Sequence, residues 1–190
     1  MNKKLIENTV FEKNDYTENN LFKGEYEHCK FVRCIFHKAD LSHVFFTDCT
    51  FDGCDFSLVN TKSAALRNAR FVNCKLLGVK FDDCNEFLFS ASFENCILKF
   101  SSFHKMKLKQ THFRSCNLQE VDMSEADLTG SVFDTCDLNK TLFDYTNVEK
   151  VDFRTSYNYS IDPEKNRIKK AKFSQTGVMG LLDKYDIEIE

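Results

Sequence analysis

The sequence predicts an all-β solenoid with four sides of five residues per coil, followed by a short C-terminal α-helix. The first observation is a period of five, which fits neither a helix nor a simple strand. The second is that residues 20 apart are alike, as a coil with four sides of five requires. The third is that nearly all of the 190 residues follow both rules. A fixed period of this kind is typical of repeat architectures.

The period is clearest between Phe93 and Phe153, where every fifth residue is Phe, Leu, Met or Val. Two positions before each of these lies a small or slender residue, with Met106 as the one long side chain. We interpret both series as pointing inward. About seven coils at about 4.8 Å each predict a rod roughly 34 Å long, held together by stacked apolar side chains.

The first half follows the same rule in a different frame, from Phe11 to Phe81. Only Thr61 interrupts the apolar series, so we expect a loop or a slight widening there. Between Phe81 and Leu88 the spacing is seven, which predicts an outward bulge within residues 82–88. Residues 1–10 lie outside the clear pattern and are expected to cap the first coil.

Nine cysteines each lie two residues before an in-frame position. Zinc ligands would cluster in short CxxC pairs, and a disulfide framework would not track a packing frame. Free cysteine packs as a small hydrophobic residue. We therefore predict buried, inert thiols, with no metal and no cofactor.

The frame lapses over residues 154–167 and returns at Ile168 and Phe173, so residues 1–173 are predicted to be one β-helical domain. Ser174 is a candidate helix N-cap, and apolar residues then recur at helical spacing before alternating as in an edge strand. Residues 174–190 would cap the rod or form a two-fold interface. The predicted interface residues are Val178, Leu181, Leu182, Tyr185, Ile187 and Ile189.

The repeated motif resembles that of the pentapeptide-repeat proteins: a small residue, a polar residue, Leu or Phe, and two polar residues. The segments 39–43 (ADLSH) and 126–130 (ADLTG) match it closely, and the resemblance covers about residues 11–173. It implies a right-handed quadrilateral β-helix. The frame restart at 93–96 (FENC), the segment 161–164 (IDPE) and the apolar residues of the tail are also similar to the Qnr and mycobacterial quinolone-resistance branch.

That branch implies a homodimeric rod, joined through its C-terminal helices, that resembles DNA, binds DNA gyrase and protects it from quinolones. Qnr proteins of Gram-negative bacteria carry two projecting loops. Here residues 101–117 run in frame, which leaves no second loop, and the first would be at most the irregularity near Thr61. The mycobacterial members lack both loops.

Residues 111–160 contain 9 acidic and 4 basic residues, whereas residues 61–110 contain 9 basic and 4 acidic ones. The acidic block of residues 111–160 predicts a surface that binds a basic groove in which DNA normally lies. The basic band of residues 61–110 argues against a rod that resembles DNA along its whole length. The predicted partner-binding acidic face consists of Asp122, Glu125, Asp127, Asp134, Asp137, Asp144, Glu149 and Asp152.

The sequence contains no HExxH motif, no GxSxG motif and no phosphate-binding glycine loop. A solenoid whose interior is filled by side chains also offers no deep pocket. We therefore predict that the protein is not an enzyme and has no small-molecule substrate. Direct nucleic-acid binding is disfavoured by the pI near 6.0 and the lack of a stacking platform among the basic residues. The alternative function is a rigid scaffold that binds another protein through the off-frame aromatics Phe87 and Phe89.

No apolar run approaches the roughly 18 residues of a spanning helix. The first residues lack the apolar region and small-residue cleavage site of a signal peptide. We therefore expect a cytoplasmic protein that does not associate with membranes.

Overall fold

A computed structural model describes residues 4–188 as a solenoid of short parallel strands, which confirms the predicted fold class. One sheet has the strand order β1-β3-β5-β7 and the other the order β11-β10-β9-β8-β6-β4-β2. The strands are β1 (Leu5–Glu7), β2 (Val10–Glu12), β3 (Glu25–Glu27), β4 (Lys30–Val32), β5 (Phe45–Thr47), β6 (Thr50–Asp52), β7 (Ala65–Arg67), β8 (Ala69–Val72), β9 (Ala91–Glu94), β10 (His112–Arg114) and β11 (Val132–Asp134).

Paired residues lie 20 apart, as Phe31 and Phe51 do between β4 and β6. Isolated bridges, such as that of Asp122 with Leu142, continue this register where no strand is formed. Because every fifth residue points inward, 20 residues make four faces. We number the faces in chain order from Phe11 and define each by its inward residues. Face 1 is centred on Phe11, Phe31, Phe51, Phe71, Phe93, Phe113, Phe133, Phe153 and Phe173, and face 2 is centred on Tyr16, Phe36, Phe56, Leu76, Leu98, Leu118 and Leu138. Face 3 is centred on Leu21, Leu41, Thr61, Phe81, Phe103, Met123 and Phe143, and face 4 is centred on Ile6, Tyr26, Phe46, Leu66, Leu108, Leu128, Val148 and Ile168.

The core consists of stacked side chains that follow the axis of the rod. The nine rings centred on face 1 are stacked with centroids between 4.7 and 5.6 Å apart. Rings of neighbouring faces meet edge to face, as Phe51 and Phe56 do at 5.1 Å. Both arrangements are favourable for aromatic pairs. The eight steps of this column agree roughly with the predicted seven coils.

The corners are lined by the small residues of the second inward series. All nine cysteines are buried and free, as predicted. The Cys54 thiol, for example, donates to the carbonyl oxygen of Phe31 at 3.4 Å. Burial raises the pKa of the Cys49 thiol to about 12, which keeps it far from a reactive thiolate.

Most corners contain a residue with positive φ, two positions after the centre of a face. Lys38, Asn73 and Glu120 are examples, with φ of 56°, 54° and 56°. The left-handed region is tolerated by Gly and Asn and disfavours bulky apolar side chains. Most of these positions carry polar residues or Gly.

The two extra residues predicted near position 85 lie between faces 3 and 4. Ala69 of β8 pairs with Ala91 of β9, 22 residues further on. Two 3₁₀ helices, Phe81–Asp83 and Glu86–Leu88, accommodate the two extra residues. Asp82, Asp83 and Phe87 are exposed, whereas Phe81 remains in the core. The Phe81 ring still stacks on Phe103 at 4.6 Å, so the column of face 3 continues without a break.

No loop is formed at Thr61, whereas the alternative expectation, a slight widening of the coil, agrees with a small cavity beside this residue. Thr61 is buried in frame, and its hydroxyl donates to the carbonyl oxygen of Lys80. A small cavity lies beside it, because Thr is shorter than the Leu41 and Phe81 side chains above and below it in the column. The expected cap at residues 1–10 also differs, because β1 begins at Leu5 and Ile6 packs against the core.

The predicted C-terminal α-helix is replaced by two 3₁₀ helices, Gly177–Leu181 and Asp183–Tyr185. Ser174 is not the N-cap residue of the first one, which is Thr176, although the Ser174 hydroxyl accepts the N–H of Gly177 at 2.9 Å. Residues 186–188 form no strand, and Ile189 lies outside the described residues. Two glycines disfavour an α-helix here, and the carbonyl of Gly180 accepts the N–H of Ile161 instead.

Within the lapse at 154–167, residues 158–166 form no strand and no bridge. Asn158 takes the left-handed conformation, and Tyr159 points inward beside Phe153 and Phe173. Bridges at Tyr157 and Arg167 hold both ends of the segment to the preceding coil. Within residues 4–188, no helix has the length and apolar character needed to cross a bilayer.

Candidate partner-binding surfaces

The eight acidic residues predicted to form one partner-binding face are distributed over all four faces. Face 1 carries Asp134 and Asp152, face 2 Asp137, face 3 Asp122, Glu125 and Asp144, and face 4 Asp127 and Glu149. The reason is geometric: residues five apart occupy neighbouring faces, and the chain returns to the same face only after about 20 residues. An acidic run in the sequence therefore winds around the rod.

Six of these eight carboxylates lie within 4 Å of a basic side chain. The Arg154 guanidinium is 2.8 Å from Asp152 and lowers the pKa of that carboxyl. Exposed pairs add little stability, but each one cancels charge locally. The pairs are Lys105–Glu125, Lys109–Asp127, Arg114–Asp134, Lys165–Asp144, Arg167–Glu149 and Arg154–Asp152.

Face 3 carries an excess of negative charge, because eight carboxylates lie there beside five lysines of the face and Lys184 of the tail. On the other three faces, acidic and basic residues are close to balance. Within the described part of the chain, Asp82, Asp83 and Asp122 have no basic side chain within 4 Å. The carboxylates are Asp40, Asp82, Asp83, Asp122, Glu125, Asp144, Asp162 and Glu164, and the lysines are Lys23, Lys62, Lys80, Lys105 and Lys165. We call this set the face 3 acidic surface.

Face 3 also brings together a serine, a histidine and an aspartate. The Ser124 hydroxyl is 2.8 Å from Nδ1 of His104 and 2.6 Å from Oδ1 of Asp122. In a nucleophilic triad the carboxylate orients the histidine, whereas here Asp122 contacts the serine. The hydroxyl proton is then directed toward Asp122. We interpret the trio as a surface hydrogen-bond chain that fixes the side chains of the face 3 acidic surface.

The insertion at residues 82–90 projects one aromatic side chain and anchors another. Phe87 is 90% exposed, whereas Phe89 is partly buried with its ring 5.9 Å from that of Phe81. The Asn85 side chain accepts the N–H of Phe87 at 3.2 Å, and Glu86 pairs with Lys107 at 3.0 Å. The two aromatics predicted to act together therefore differ: Phe89 holds the insertion on the core, and Phe87 faces solvent.

The tail separates the predicted interface residues in a similar way. Leu181 packs against the core and Leu182 is half-buried, whereas Val178, Tyr185 and Ile187 are exposed together with Met179. Lys184 fixes the second 3₁₀ helix, because its ammonium lies 2.8 Å from both Asp162 and Glu164. Tyr185 donates to Glu164 at 3.1 Å. The tail thus covers the last coil and presents a small apolar surface outward.

The repeat itself identifies the family. The family described as "Pentapeptide repeat region" matches residues 20–86 and 87–160, which is most of the chain. The chain belongs to the pentapeptide-repeat family. This pentapeptide-repeat protein has no significant match among curated proteins.

Solved structures match the pentapeptide-repeat protein over its whole length. One is a trypsin-treated variant of QnrB1, described as a plasmid-mediated fluoroquinolone resistance protein. It has 17% sequence identity and a TM-score of 0.64, and the match covers 98% of this chain and 100% of that one. A second trypsin-treated QnrB1 variant has 16% identity and a TM-score of 0.61, with full coverage of both chains. At this identity the likeness shows the fold.

The geometry also shows which surface residues the sequence reasoning missed. Asp82, Asp83, Asp162 and Glu164 belong to the face 3 acidic surface but lie outside the acidic block of residues 111–160. The period of 20 is the signal that places them there, because it applies to exposed residues as well as to the core. Among residues 4–188, no three His, Cys, Asp or Glu side chains are grouped as metal ligands.

Proposed function

We propose that this pentapeptide-repeat protein is a non-enzymatic homodimer that binds DNA gyrase or a related type II topoisomerase in place of DNA. The observation that carries the proposal is the end-to-end match in fold to QnrB1, a fluoroquinolone resistance protein. A rod of similar form presents its outer faces to a partner in the same way. The cytoplasm, where such an enzyme acts, is the corresponding location.

The face 3 acidic surface is the side that would enter the DNA-binding groove. Its carboxylates follow the axis of the rod, and three of them have no cation nearby to cancel their charge. The charge density is nevertheless far below that of a DNA strand, which carries one phosphate per about 3.4 Å. The contact would therefore depend on shape and on individual carboxylates as well as on the long-range field.

The test is a supercoiling assay with cognate gyrase and rising concentrations of the purified protein, with and without a fluoroquinolone. We expect inhibition, or protection from the drug, at low micromolar protein. Replacing Asp122, Glu125 and Asp144 by Asn, Gln and Asn should raise the required concentration at least tenfold.

A matched control variant replaces Asp134, Glu149 and Asp152 in the same way on faces 1 and 4, and it should behave as the unmodified protein does. Equal effects of the two triple variants would overturn the assignment to face 3. If the unmodified dimer does not affect supercoiling by gyrase, either with or without the fluoroquinolone, the topoisomerase proposal itself is overturned.

The dimer would form through the exposed apolar residues of the tail. Val178 and Ile187 are exposed without a structural role in the cap, whereas Leu181 packs on the core. We expect Val178→Ser with Ile187→Ser to reduce the solution mass from dimer to monomer while each chain stays folded, with a thermal midpoint lowered by the loss of the partner. Sedimentation equilibrium measures the mass, and an unmodified protein that sediments as a monomer would contradict the dimer.

The alternative function, a scaffold for another protein, is favoured by one specific observation: the 90% exposure of Phe87 on an anchored insertion. Aromatic side chains are common anchors of protein interfaces. A photo-crosslinking residue in place of Phe87 should capture that partner in cells, and Phe87→Ser should abolish binding while leaving stability unchanged. If Phe87→Ser instead abolishes the gyrase effect, the insertion belongs to the topoisomerase contact.

A further inference from the structure

Face 2 carries an apolar patch that neither the core nor the proposed topoisomerase contact uses. Leu58 and Phe100 are 56% and 57% exposed, and Ile97 is also exposed. Leu77 and Gly78 lie between them and are half-buried. We call Leu58, Leu77, Gly78, Ile97 and Phe100 the face 2 patch.

The backbone conformation at two of these positions makes the apolar residues costly. Leu58, Gly78 and Phe100 occupy successive coils at the same corner, with φ of 58°, 63° and 63°. Glycine suits this left-handed conformation, whereas Leu and Phe disfavour it. The same corner carries Lys38 and Glu120 in the coils before and after. Neither local conformation nor burial therefore explains Leu58 and Phe100.

Leu58, Gly78 and Phe100 follow one another along the rod at one corner of face 2. A Cβ on Gly78 would lie 3.0 Å from Cδ2 of Leu58, so the Leu58 side chain extends toward Gly78, and Phe100 occupies the same corner in the next coil. The three coils span about 10 Å of the axis, the length of roughly two turns of an α-helix.

The backbone beneath the patch cannot accept an additional strand, because its hydrogen bonds are already made between coils. The N–H of Phe56 donates to the carbonyl of Lys75 at 2.7 Å, and that of Leu76 donates to Ile97 at 2.8 Å. A partner must therefore bind through side chains, as an amphipathic helix does when its apolar face covers an apolar surface.

Lysines surround the patch and set the charge of that partner. Lys38 and Lys99 lie on face 2 beside it, and in the part of the chain that the structure describes no carboxylate lies within 4 Å of their ammonium groups, whereas Lys75 is paired with Asp55. The Lys99 ammonium lies 5.4 Å from the centroid of the Phe100 ring. A second copy of the chain docked on this patch would bring lysines against lysines, whereas carboxylates on the partner would be attracted.

We propose that the face 2 patch is a docking site for an acidic amphipathic helix of another protein. The apolar residues of that helix lie on Leu58, Leu77 and Phe100, and its flanking Asp and Glu side chains approach Lys38 and Lys99. The site is separate from the face 3 acidic surface, so the helix and a topoisomerase can be bound by different sides of the rod.

The experiment selects binders from a displayed library of helical 16-residue peptides in which both the apolar and the charged positions are randomised. We expect enrichment of Leu, Ile, Phe or Met at spacings of i, i+4 and i+7, flanked by Asp or Glu. A synthetic peptide of the selected consensus should lose at least tenfold in affinity on the double variant Leu58→Asn, Phe100→Asn. Its affinity should fall similarly for Lys38→Glu with Lys99→Glu.

Asparagine suits the left-handed conformation, so the double variant should unfold at the same temperature or higher. The matched control is Tyr145→Asn, an exposed aromatic with φ of 55° at the equivalent corner of face 3, which should change peptide affinity less than twofold. Selection of basic peptides, or equal binding to the double variant, would overturn the proposal. So would Phe100-dependent binding of a fluorescent single-stranded oligonucleotide in place of the peptide.

Discussion

Gly180 lies so close to Tyr159 that a Cβ on the glycine would be 2.0 Å from the Tyr159 carbonyl oxygen. This contact brings the carbonyl of Gly180 within 2.9 Å of the N–H of Ile161 and closes the end of the rod. The tail is therefore held by a backbone-to-backbone approach that only glycine permits, and it needs no regular α-helix.

The first prediction follows from that contact. Gly180→Ala should displace the tail and lower the free energy of unfolding by about 1–3 kcal/mol, the usual range for overpacking. Hydrogen exchange of residues 174–188 should become faster, and thermal unfolding measures the loss. Gly53→Asn is the control, because its nearest non-local atom is 3.5 Å from the added Cβ and Asn tolerates its φ of 66°. A similar loss in both variants would contradict the contact argument.

The second prediction concerns the stacked column of face 1. Phe51 is fully buried between Phe31 and Phe71, with centroid distances of 5.1 and 4.9 Å. Phe51→Ala should reduce stability by about 3–5 kcal/mol, because a cavity replaces the ring in a column that cannot collapse sideways. Phe22→Ala, at an exposed aromatic, should change stability by less than about 0.5 kcal/mol. Denaturant titration of both variants compares them directly.

The third prediction is a gain in stability from Thr61→Leu. Leucine would fill the cavity beside Thr61, and the Lys80 carbonyl would keep the hydrogen bond from the N–H of Asp83. We expect a gain of about 0.5–2 kcal/mol, as cavity filling commonly gives. Thr141→Leu is the matched control, because Thr141 lies at a corner among small residues and Leu should destabilise there. A loss in both variants would show that the cavity cannot accept a larger residue.

The fourth prediction concerns pH. The Lys184 ammonium lowers the pKa of both Asp162 and Glu164 below their ordinary values. A lowered carboxyl pKa contributes stability above the unfolded pKa, and that contribution is lost as the pH falls through the folded value. Docking of the tail should therefore be constant between pH 8 and pH 5 and should weaken below about pH 4. Hydrogen exchange of Gly177–Tyr185, corrected for intrinsic rates, measures this.

Lys184→Met provides the control for the pH experiment, because it removes the ammonium that holds both carboxylates. Its tail should be more mobile already at pH 7, and its exchange rates should change less between pH 5 and pH 3. An unmodified protein whose tail protection begins to fall near pH 6.5 would point to a histidine instead and contradict the assignment.

The sequence was sufficient to predict the core and the family, because burial in this fold depends on short-range geometry. A chain that turns every five residues must place the same two of each five inside, as Phe51 and Cys49 show. The period of 20 then follows from four sides, and the insertion near Asn85 is visible as a break in the count. The thiols were correctly assigned to packing for the same reason.

The arrangement of the surface was decided by the tertiary structure. Asp122 and Asp127 are close in sequence yet lie on different faces, and Asp82 joins Asp122 on face 3 across two coils. Thr61 lies in frame, and its hydroxyl donates a hydrogen bond to the backbone carbonyl oxygen of Lys80 in the next coil. Such contacts join residues about 20 apart, so no local pattern records them. The period of five determines which side chains are buried, and only the coiling of the chain determines which exposed side chains become neighbours.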